Sequence, residues 1–432
     1  MQDRPVLQLA LDAMHLKRAI EIAREAVKGG VDWIEAGTPL IKSEGMEAVR
    51  ALKRAFPGHV IVADMKVMDT GAYEVEMAAK AGADVVHVLG AADDPTIEEA
   101  VRAGRKYGVK VCVDLIGIDD RIARAREIEK MGVHHVCVHV SIDRQMLGLD
   151  PVENVREVAA AVELPVAVAG GVNSETAAAV VRAGASIVIV GGAIIKSKDP
   201  EAAARAIKRA MRTRKGVRTE LHRKYSLADV RAALLKVSSS NVSDAQHHVG
   251  SIKGLRPVVD LGVKMVGTAL TVRTMDGDWA KAVEAIDKAG PGDVLVIDAG
   301  GGSVAVWGEL ASNSCQVKGV AGVVIDGAVR DVQDIRALAF PVWAREFVPD
   351  AGEPKGHGEI GVEVEVGGVR VRTGDWVVGD ESGLVVIEQE RVVEVANRAL
   401  GVLENENRLR VEIRRGSTLS SVLELEKWER VG

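Results

Sequence analysis

From residue 1 to about 212, short runs of apolar residues alternate with longer stretches rich in Ala, Glu, Lys and Arg. The short runs read as strands and the long ones as amphipathic helices, so this half predicts repeated strand–helix units around a parallel sheet. Eight candidate strands stand out: Val6 to Leu11, Asp32 to Ala36, Val60 to Met65, Val85 to Leu89, Lys110 to Leu115, His135 to His139, Pro165 to Ala169 and Ile187 to Val190. Eight such units in that length fit a (β/α)8 TIM barrel, which carries its site at the C-terminal ends of the strands. An open doubly wound sheet is the alternative, but no Gly-x-Gly-x-x-Gly follows the first strand.

The texture then changes. Arg205, Lys208, Arg209, Arg212, Arg214, Lys215, Arg218, Arg223 and Lys224 make a basic stretch, read as a helix end and connector. Tyr225 to Val237 predicts a helix that Ser238-Ser239-Ser240-Asn241 ends. Beyond it come Gly-punctuated strands: Met265 to Arg273, Asp293 to Asp298, Gly322 to Ile325, Val362 to Val366, Val369 to Arg372 and Leu384 to Ile387. Gly367-Gly368 between two of them signals a hairpin. The expected organisation is a barrel over 1–212, a basic helical linker over 213–240, and a non-barrel α/β domain over 241–432 that ends in a charged helical tail from Glu388.

Composition narrows the classes. At 432 residues two cores are expected, and a net charge of −6 with only 3% aromatic residues argues against a nucleic-acid partner. Cys112, Cys137 and Cys315 have neither metal-ligand spacing nor an even count, which suits small core residues in a reducing compartment. No start resembling a signal peptide and no apolar run of about 18 residues is present, so a cytoplasmic protein without membrane association is expected.

The candidate chemistry lies at the ends of the barrel strands. Val60, Val62, Asp64 and Lys66 alternate on one face, so an acid and a base emerge together. Asp12, Glu35, Asp114 and His139 take equivalent places on the first, second, fifth and sixth strands, which sends six ionisable groups to one mouth. Glu35 and Asp64, from neighbouring strands, suit a hard divalent ion such as Mg²⁺ or Mn²⁺. The last two strands end in Gly170-Gly171 and Gly191-Gly192. There, backbone N–H groups at a helix start can receive a phosphate.

On these residues the first half, over about 5 to 210, resembles the hexulose-6-phosphate synthase group of the orotidine-monophosphate decarboxylase superfamily. The carrying motifs are Leu9-Ala10-Leu11-Asp12, Ile34-Glu35-Ala36-Gly37-Thr38-Pro39, Asp64-Met65-Lys66-Val67-Met68-Asp69, Ala169-Gly170-Gly171 and Val190-Gly191-Gly192-Ala193-Ile194. The resemblance implies a Mg²⁺-dependent aldol reaction between ribulose 5-phosphate and formaldehyde giving 3-hexulose 6-phosphate, or its reverse. It also implies a dimer in which Asp69 completes the partner's site. Related 3-keto-L-gulonate 6-phosphate decarboxylases look like His-Arg-Ser-Arg-Asp and Val-Gly-Arg-Ala where this chain has His139-Val140-Ser141-Ile142-Asp143 and Val190-Gly191-Gly192-Ala193. The missing arginines, at Ile142 and Gly192, favour the synthase. His139 and Lys66 are the candidate proton carriers, Lys66 being expected between Asp64 and Asp69.

Three polar clusters mark the second half: Gly300-Gly301-Gly302, Trp307-Gly308-Glu309-Leu310 and Ile325-Asp326-Gly327-Ala328-Val329-Arg330-Asp331. Together they resemble the family of the ribonuclease-activity regulator A and the class II 4-hydroxy-4-methyl-2-oxoglutarate aldolases. The resemblance implies that Asp331 holds a divalent metal through water, that Arg330 grips a 2-oxo-acid carboxylate, and that Glu309 stands near. Binding members of that family replace the Asp. Its retention favours a 2-oxo-acid aldolase or decarboxylase over a protein-binding or oligomerising module.

Overall fold

Strand β1 (Val6–Leu11) is buried along its whole length. Its side chains alternate between two cores, because successive residues of a strand face opposite ways. Leu7, Leu9 and Leu11 face the surrounding helices, while Val6 and Ala10 join Val62, Val85, Cys112, Cys137, Ala167 and Ile189 inside. The same division repeats through β2 (Trp33–Ala36), β3 (Val60–Val67), β4 (Val85–Leu89), β5 (Lys110–Asp114), β6 (His135–His139), β7 (Val166–Ala169) and β8 (Ala185–Val190). These eight strands close into a parallel barrel in sequence order, β8 pairing back onto β1 through Val6↔Ile187 to Leu9↔Val190. The interior is filled mostly by small apolar residues, with the polar side chains of Gln8, His87 and His135 buried among the strands.

The helices outside follow the expected period. In the helix Leu16–Lys28, Ala19, Ile22, Ala23 and Ala26 are the buried positions, spaced to form one apolar stripe. The helix Pro200–Thr213 has Pro at its start and Asp199 as cap, its Oδ1 accepting from Ala202 N at 2.9 Å.

The computed structural model describes residues 4–149, 151–259, 262–423 and 425. Two compact units emerge: the described parts of Met1–Gln145, Leu149–Lys224 and Glu404–Gly432 form one, Met146–Gly148 and Tyr225–Leu403 the other. This division differs from the expected one at the linker and at the tail. Residues up to Lys224 stay with the barrel because Val217 and Ser174 exchange hydrogen bonds of 2.8 and 2.7 Å. The tail from Glu404 also belongs there, since Arg408 reaches Glu25 and the Ser197 carbonyl, both at 3.4 Å, and Arg415 reaches Glu25 at 2.7 Å.

Among its described residues the second unit holds a ten-stranded mixed sheet and a separate two-stranded one. Met265–Arg273, Asp293–Asp298, Gly322–Val329 and Val342–Phe347 run parallel at its centre, and Trp376–Asp380 and Gly383–Ile387 continue it antiparallel. The strand predicted to stop at Ile325 runs on to Val329, with a register shift between Ile325 and Ala328 that absorbs Gly327. Ser238 opens a helix rather than closing one. It caps Ser239–Ala245 in a reciprocal box with Asn241, while the preceding stretch holds only Leu227–Asp229 and the short helix Val230–Leu234. The Gly367-Gly368 hairpin forms as expected between Val364–Val366 and Val369–Val371. All three cysteines are free and buried. No described helix is long and apolar enough to cross a membrane.

Candidate active site

Strand β3 carries the centre of the barrel site two residues further than its apolar pattern indicates. It continues through Lys66 and Val67, and its pairing with β4 shifts register between Ala63 and Val67. At that irregularity Lys66 takes a left-handed backbone, φ 47°. Such a conformation costs a residue with a Cβ about 1–2 kcal/mol, so the neighbouring structure must hold it. It aims Nζ at two carboxylates, 2.7 Å from Asp64 Oδ2 and 3.6 Å from Asp114 Oδ2. The expected partner Asp69 is instead exposed at the rim, its Oδ1 accepting from Thr70 N at 2.6 Å. Asp114, from β5, replaces it.

Asp114 links Lys66 to His139. Its Oδ2 lies 2.8 Å from His139 Nδ1, and its Oδ1 accepts from Ile116 N at 2.9 Å. Burial would raise the Asp114 pKa, but the hydrogen bond and charge of His139, with the charge of Lys66, outweigh it and hold the carboxyl below its usual range. Lys66 is likewise pulled down by burial yet raised overall by Asp64 and Asp114. At neutral pH it is a fixed cation.

Glu35, Asp64 and Asp12 make up the acidic side. Glu35 is buried, and its Oε2 accepts from Gln8 Nε2. Burial, then the charges of Asp64 and Asp12, push its pKa well above normal. Asp12 is reached by solvent from the mouth yet enclosed at its sides, and burial followed by the Asp64 charge raises it too. Asp64 Oδ2 accepts from Thr38 Oγ1 at 2.8 Å as well as from Lys66. Its Oδ1 is buried with no hydrogen-bond partner among the described residues. Three carboxylates gathered in low dielectric repel one another, and a buried oxygen left without a donor is costly. A hard cation held by Glu35 and Asp64 would relieve both, so the donor set fits Mg²⁺ or Mn²⁺.

All six groups therefore meet. The glycine turns adjoin them: a Cβ on Gly191 would lie 3.2 Å from Asp12 Oδ2, and one on Gly37 would lie 2.3 Å from Asp12 Oδ1. Gly170 and Gly171 have φ of 94° and 73°, and a Cβ on Gly170 would meet Val140 O at 2.1 Å. Only glycine serves there. The helices after these turns, Ala177–Arg182 and Gly192–Ile195, are short, and at the start of the first the Asn173, Glu175, Thr176 and Ala177 N–H groups are already taken by Thr176 Oγ1, Asn173 Oδ1 and Asn173 O.

Gln8, Thr38 and His87 were not singled out from the sequence. His87 is buried beneath Asp64, Nδ1 to Oδ1 3.7 Å, and burial lowers its pKa. Gln8 and His87 were readable in principle, as polar residues at inward positions of otherwise apolar strands. Thr38 carries no such signal.

In the second unit, Arg330 and Asp331 follow the strand Gly322–Val329, and Glu309 opens the helix Glu309–Lys318. Asp331 has φ 55°, and its Oδ2 accepts from Glu309 N at 3.2 Å and lies 3.4 Å from Arg330 Nε. A Cβ on Gly308 would come within 2.5 Å of that oxygen, so the glycine permits the approach. Arg330, Asp331, Trp279, Trp307, Leu310 and Ser314 are among the residues lining a cavity of about 350 Å³. The Glu309 carboxylate turns to Asn313 Nδ2 at 3.3 Å. Asp326, from the same motif, is structural: it pairs with Arg345 at 2.6 Å and accepts from Gly367 N at 2.7 Å.

Comparison with known proteins agrees with both halves. The family described as orotidine 5'-phosphate decarboxylase / HUMPS matches residues 5–207, and the RraA-like family, described as Aldolase/RraA, matches residues 239–386. The 3-hexulose-6-phosphate synthase of Mycobacterium gastri is 42% identical over 205 residues, 48% of this chain and 99% of that protein. The synthase of Bacillus subtilis (strain 168) is 41% identical over 194 residues, 45% of this chain and 92% of its own length. A crystal structure of 3-hexulose-6-phosphate synthase shares 42% identity, covering 48% of this chain and 99% of its own, with a TM-score of 0.46. The chain belongs to the orotidine 5'-phosphate decarboxylase / HUMPS family through its barrel and carries an RraA-like domain behind it.

Proposed function

We propose that the barrel is an aldehyde-lyase that joins ribulose 5-phosphate and formaldehyde into 3-hexulose 6-phosphate, or runs the reverse. The observation that carries this reading is one mouth in which the His139–Asp114 pair, cationic Lys66 and the Glu35–Asp64 carboxylates adjoin the glycine turns through Asp12. The synthases to which the barrel is similar support it.

His139, with Nδ1–H donating to Asp114, keeps Nε2 free to take the C1 proton of the ketose phosphate. The resulting enediolate forms a bond from C1 to the formaldehyde carbon, and the former aldehyde oxygen takes up a proton. Lys66, permanently charged, faces the oxygen on which negative charge develops. A divalent ion held by Glu35 and Asp64 would supply Lewis-acid polarisation of the carbonyl and hydroxyl oxygens. The glycine turns receive the phosphate. Ile142 is exposed and Gly192 bears no side chain, so neither position offers the cation associated with decarboxylation. Asp69 acts at the rim of a second copy's site, where exposed Met68 and Tyr73 flank it with apolar surface. The test is formaldehyde-dependent consumption of ribulose 5-phosphate by the full chain, with Mg²⁺ and after chelation. No consumption under either condition would remove the reading.

The second unit we read as a divalent-metal lyase of 2-oxo acids, because Arg330 and Asp331 stand together at a cavity. A guanidinium fork suits a carboxylate, and a water-linked ion at Asp331 would polarise the adjacent carbonyl. A specific observation favours a second reading. Leu310 and Val317, on the helix Glu309–Lys318, are 79% and 85% exposed, as a protein-binding or oligomerising surface would have them.

A further inference from the structure

We propose that the barrel interior holds a second metal site, in which His87, Cys112 and His135 bind a borderline-soft divalent ion of the Zn²⁺ type. It lies deeper in the barrel than the mouth, since Asp114 stands two residues beyond Cys112 on β5. Its ligands are nitrogen and sulfur, whereas Glu35 and Asp64 offer only oxygen.

Three neighbouring strands supply one ligand each. Cys112 on β5 is the register partner of His87 on β4 and of His135 on β6. Register partners in a parallel sheet point the same way, and Cys112 lies in the interior cluster with Val85 and Cys137. All three side chains therefore face inward. Their ligand atoms lie within 4.8 Å of one another, and no residue of the three is more than 3% exposed. Bonds of about 2.0–2.3 Å to a tetrahedral ion place ligand atoms roughly 3.5 Å apart, so a contraction of about 1 Å closes the set. The sequence shows no motif here because each ligand comes from a different strand.

A second observation points to an ion. His87 Nε2 is buried and has no hydrogen-bond partner among the described residues, a cost that a bound ion removes. On the ring's other side, Nδ1 faces Asp64 Oδ1 at 3.7 Å. A metal-bound imidazole commonly gives its other N–H to a carboxylate, which fixes its tautomer. An ion on Nε2 thus turns Nδ1–H towards Asp64, and the His87 ring connects the inner site to the mouth. Two imidazoles and a thiolate select Zn²⁺ or Co²⁺ over Mg²⁺. Burial keeps the His135 imidazole neutral, its pKa pulled down to about 3, so a ring nitrogen is available. Burial also keeps the Cys112 thiol protonated. Binding breaks that S–H bond, forms a metal–sulfur bond and releases the proton to solvent, with no change of oxidation state.

The test uses the full chain, produced in medium supplemented with Co²⁺ and washed free of loosely held ion. Thiolate-bound Co²⁺ gives a sulfur-to-metal charge-transfer band in the near ultraviolet, which oxygen ligands at the mouth do not give. Wild type should show the band, and protein produced with Zn²⁺ instead should lack it. Cys112→Ala should lose the band, and His135→Gln should weaken Co²⁺ binding at least roughly tenfold. Glu35→Gln, Cys137→Ala and Cys315→Ala should keep it. No band in the wild type overturns the proposal. So does a band that survives Cys112→Ala, or one that vanishes in Cys137→Ala or Cys315→Ala, and these last two variants decide the sulfur should Cys112→Ala not fold. Binding unmoved by His135→Gln would reduce the site to a single thiolate and overturn it as well.

Discussion

His139 Nδ1 stands 2.8 Å from Asp114 Oδ2, a pairing made by the ends of two adjacent strands, β5 and β6. The carboxylate fixes the tautomer, so Asp114→Asn should leave the ring in place but present the wrong nitrogen. The expected loss in kcat is roughly 10²–10⁴-fold, with KM far less affected. Steady-state kinetics beside a thermal melt separate this from unfolding. A variant within a few-fold of wild type would remove His139 as the base.

Asp64→Asn should abolish aldol activity while the protein stays folded. It keeps an acceptor for Thr38 and removes the charge that faces Lys66 and a metal. Loss of the cooperative melt would move Asp64 from the site to the scaffold.

Glu35 gives a pH prediction of unusual sign. Its folded pKa is raised, so the folded state holds the proton more tightly than the unfolded chain does. Ionised Glu35 therefore costs stability at pH above its unfolded value, near about 4.3, and the cost grows until pH passes the folded value. Glu35→Gln, which can still accept from Gln8, should raise the melting temperature in chelator at neutral pH, and the gain should vanish near pH 4. A gap that does not change with pH would contradict the burial and charge argument. The same variant should lose metal-dependent activity.

Gly192→Arg should raise KM for the sugar phosphate, since the side chain must displace the His222 ring that lies where its Cβ would start. An unaltered KM would count against phosphate binding at this turn.

Much of this was legible because the barrel's strands are apolar runs whose ends are polar. Asp12, Glu35, Asp64, Asp114 and His139 declare themselves by breaking the run. Lys66 and its partner Asp64 were legible, but its second partner was not, because the left-handed turn at Lys66 swings the ammonium towards β5 rather than along the chain to Asp69. His222 was illegible for a different reason. A lone histidine in a basic connector carries no pattern, and tertiary hydrogen bonds, from Asn173 to its carbonyl and from its own N–H to Glu404, bring it to Gly192. In the second unit, the Asp-Gly-Ala-Val-Arg-Asp run looked like one cluster, yet Asp326 pairs with Arg345 while Asp331 turns to Glu309. The register shift after Ile325 separates them.

The second unit's roles can be told apart by two substitutions. Asp331 occupies a left-handed conformation that Asn also tolerates, so Asp331→Asn preserves the turn and the acceptor for Glu309 N while removing the charge that would hold a metal through water. That variant should lose divalent-dependent oxaloacetate decarboxylation or pyruvate release, and the barrel's synthase activity should survive because its six mouth residues all lie in the first unit. Arg330→Ala should instead raise KM roughly 10- to 100-fold with a smaller change in kcat, since a carboxylate grip made equally in ground and transition states contributes uniform binding. Identical phenotypes for the two variants would dissolve the division of labour. If the wild-type protein turns over no 2-oxo acid with any divalent ion, and Leu310→Lys alters its oligomeric state, the exposed helix face is the functional surface and the lyase reading of this unit falls.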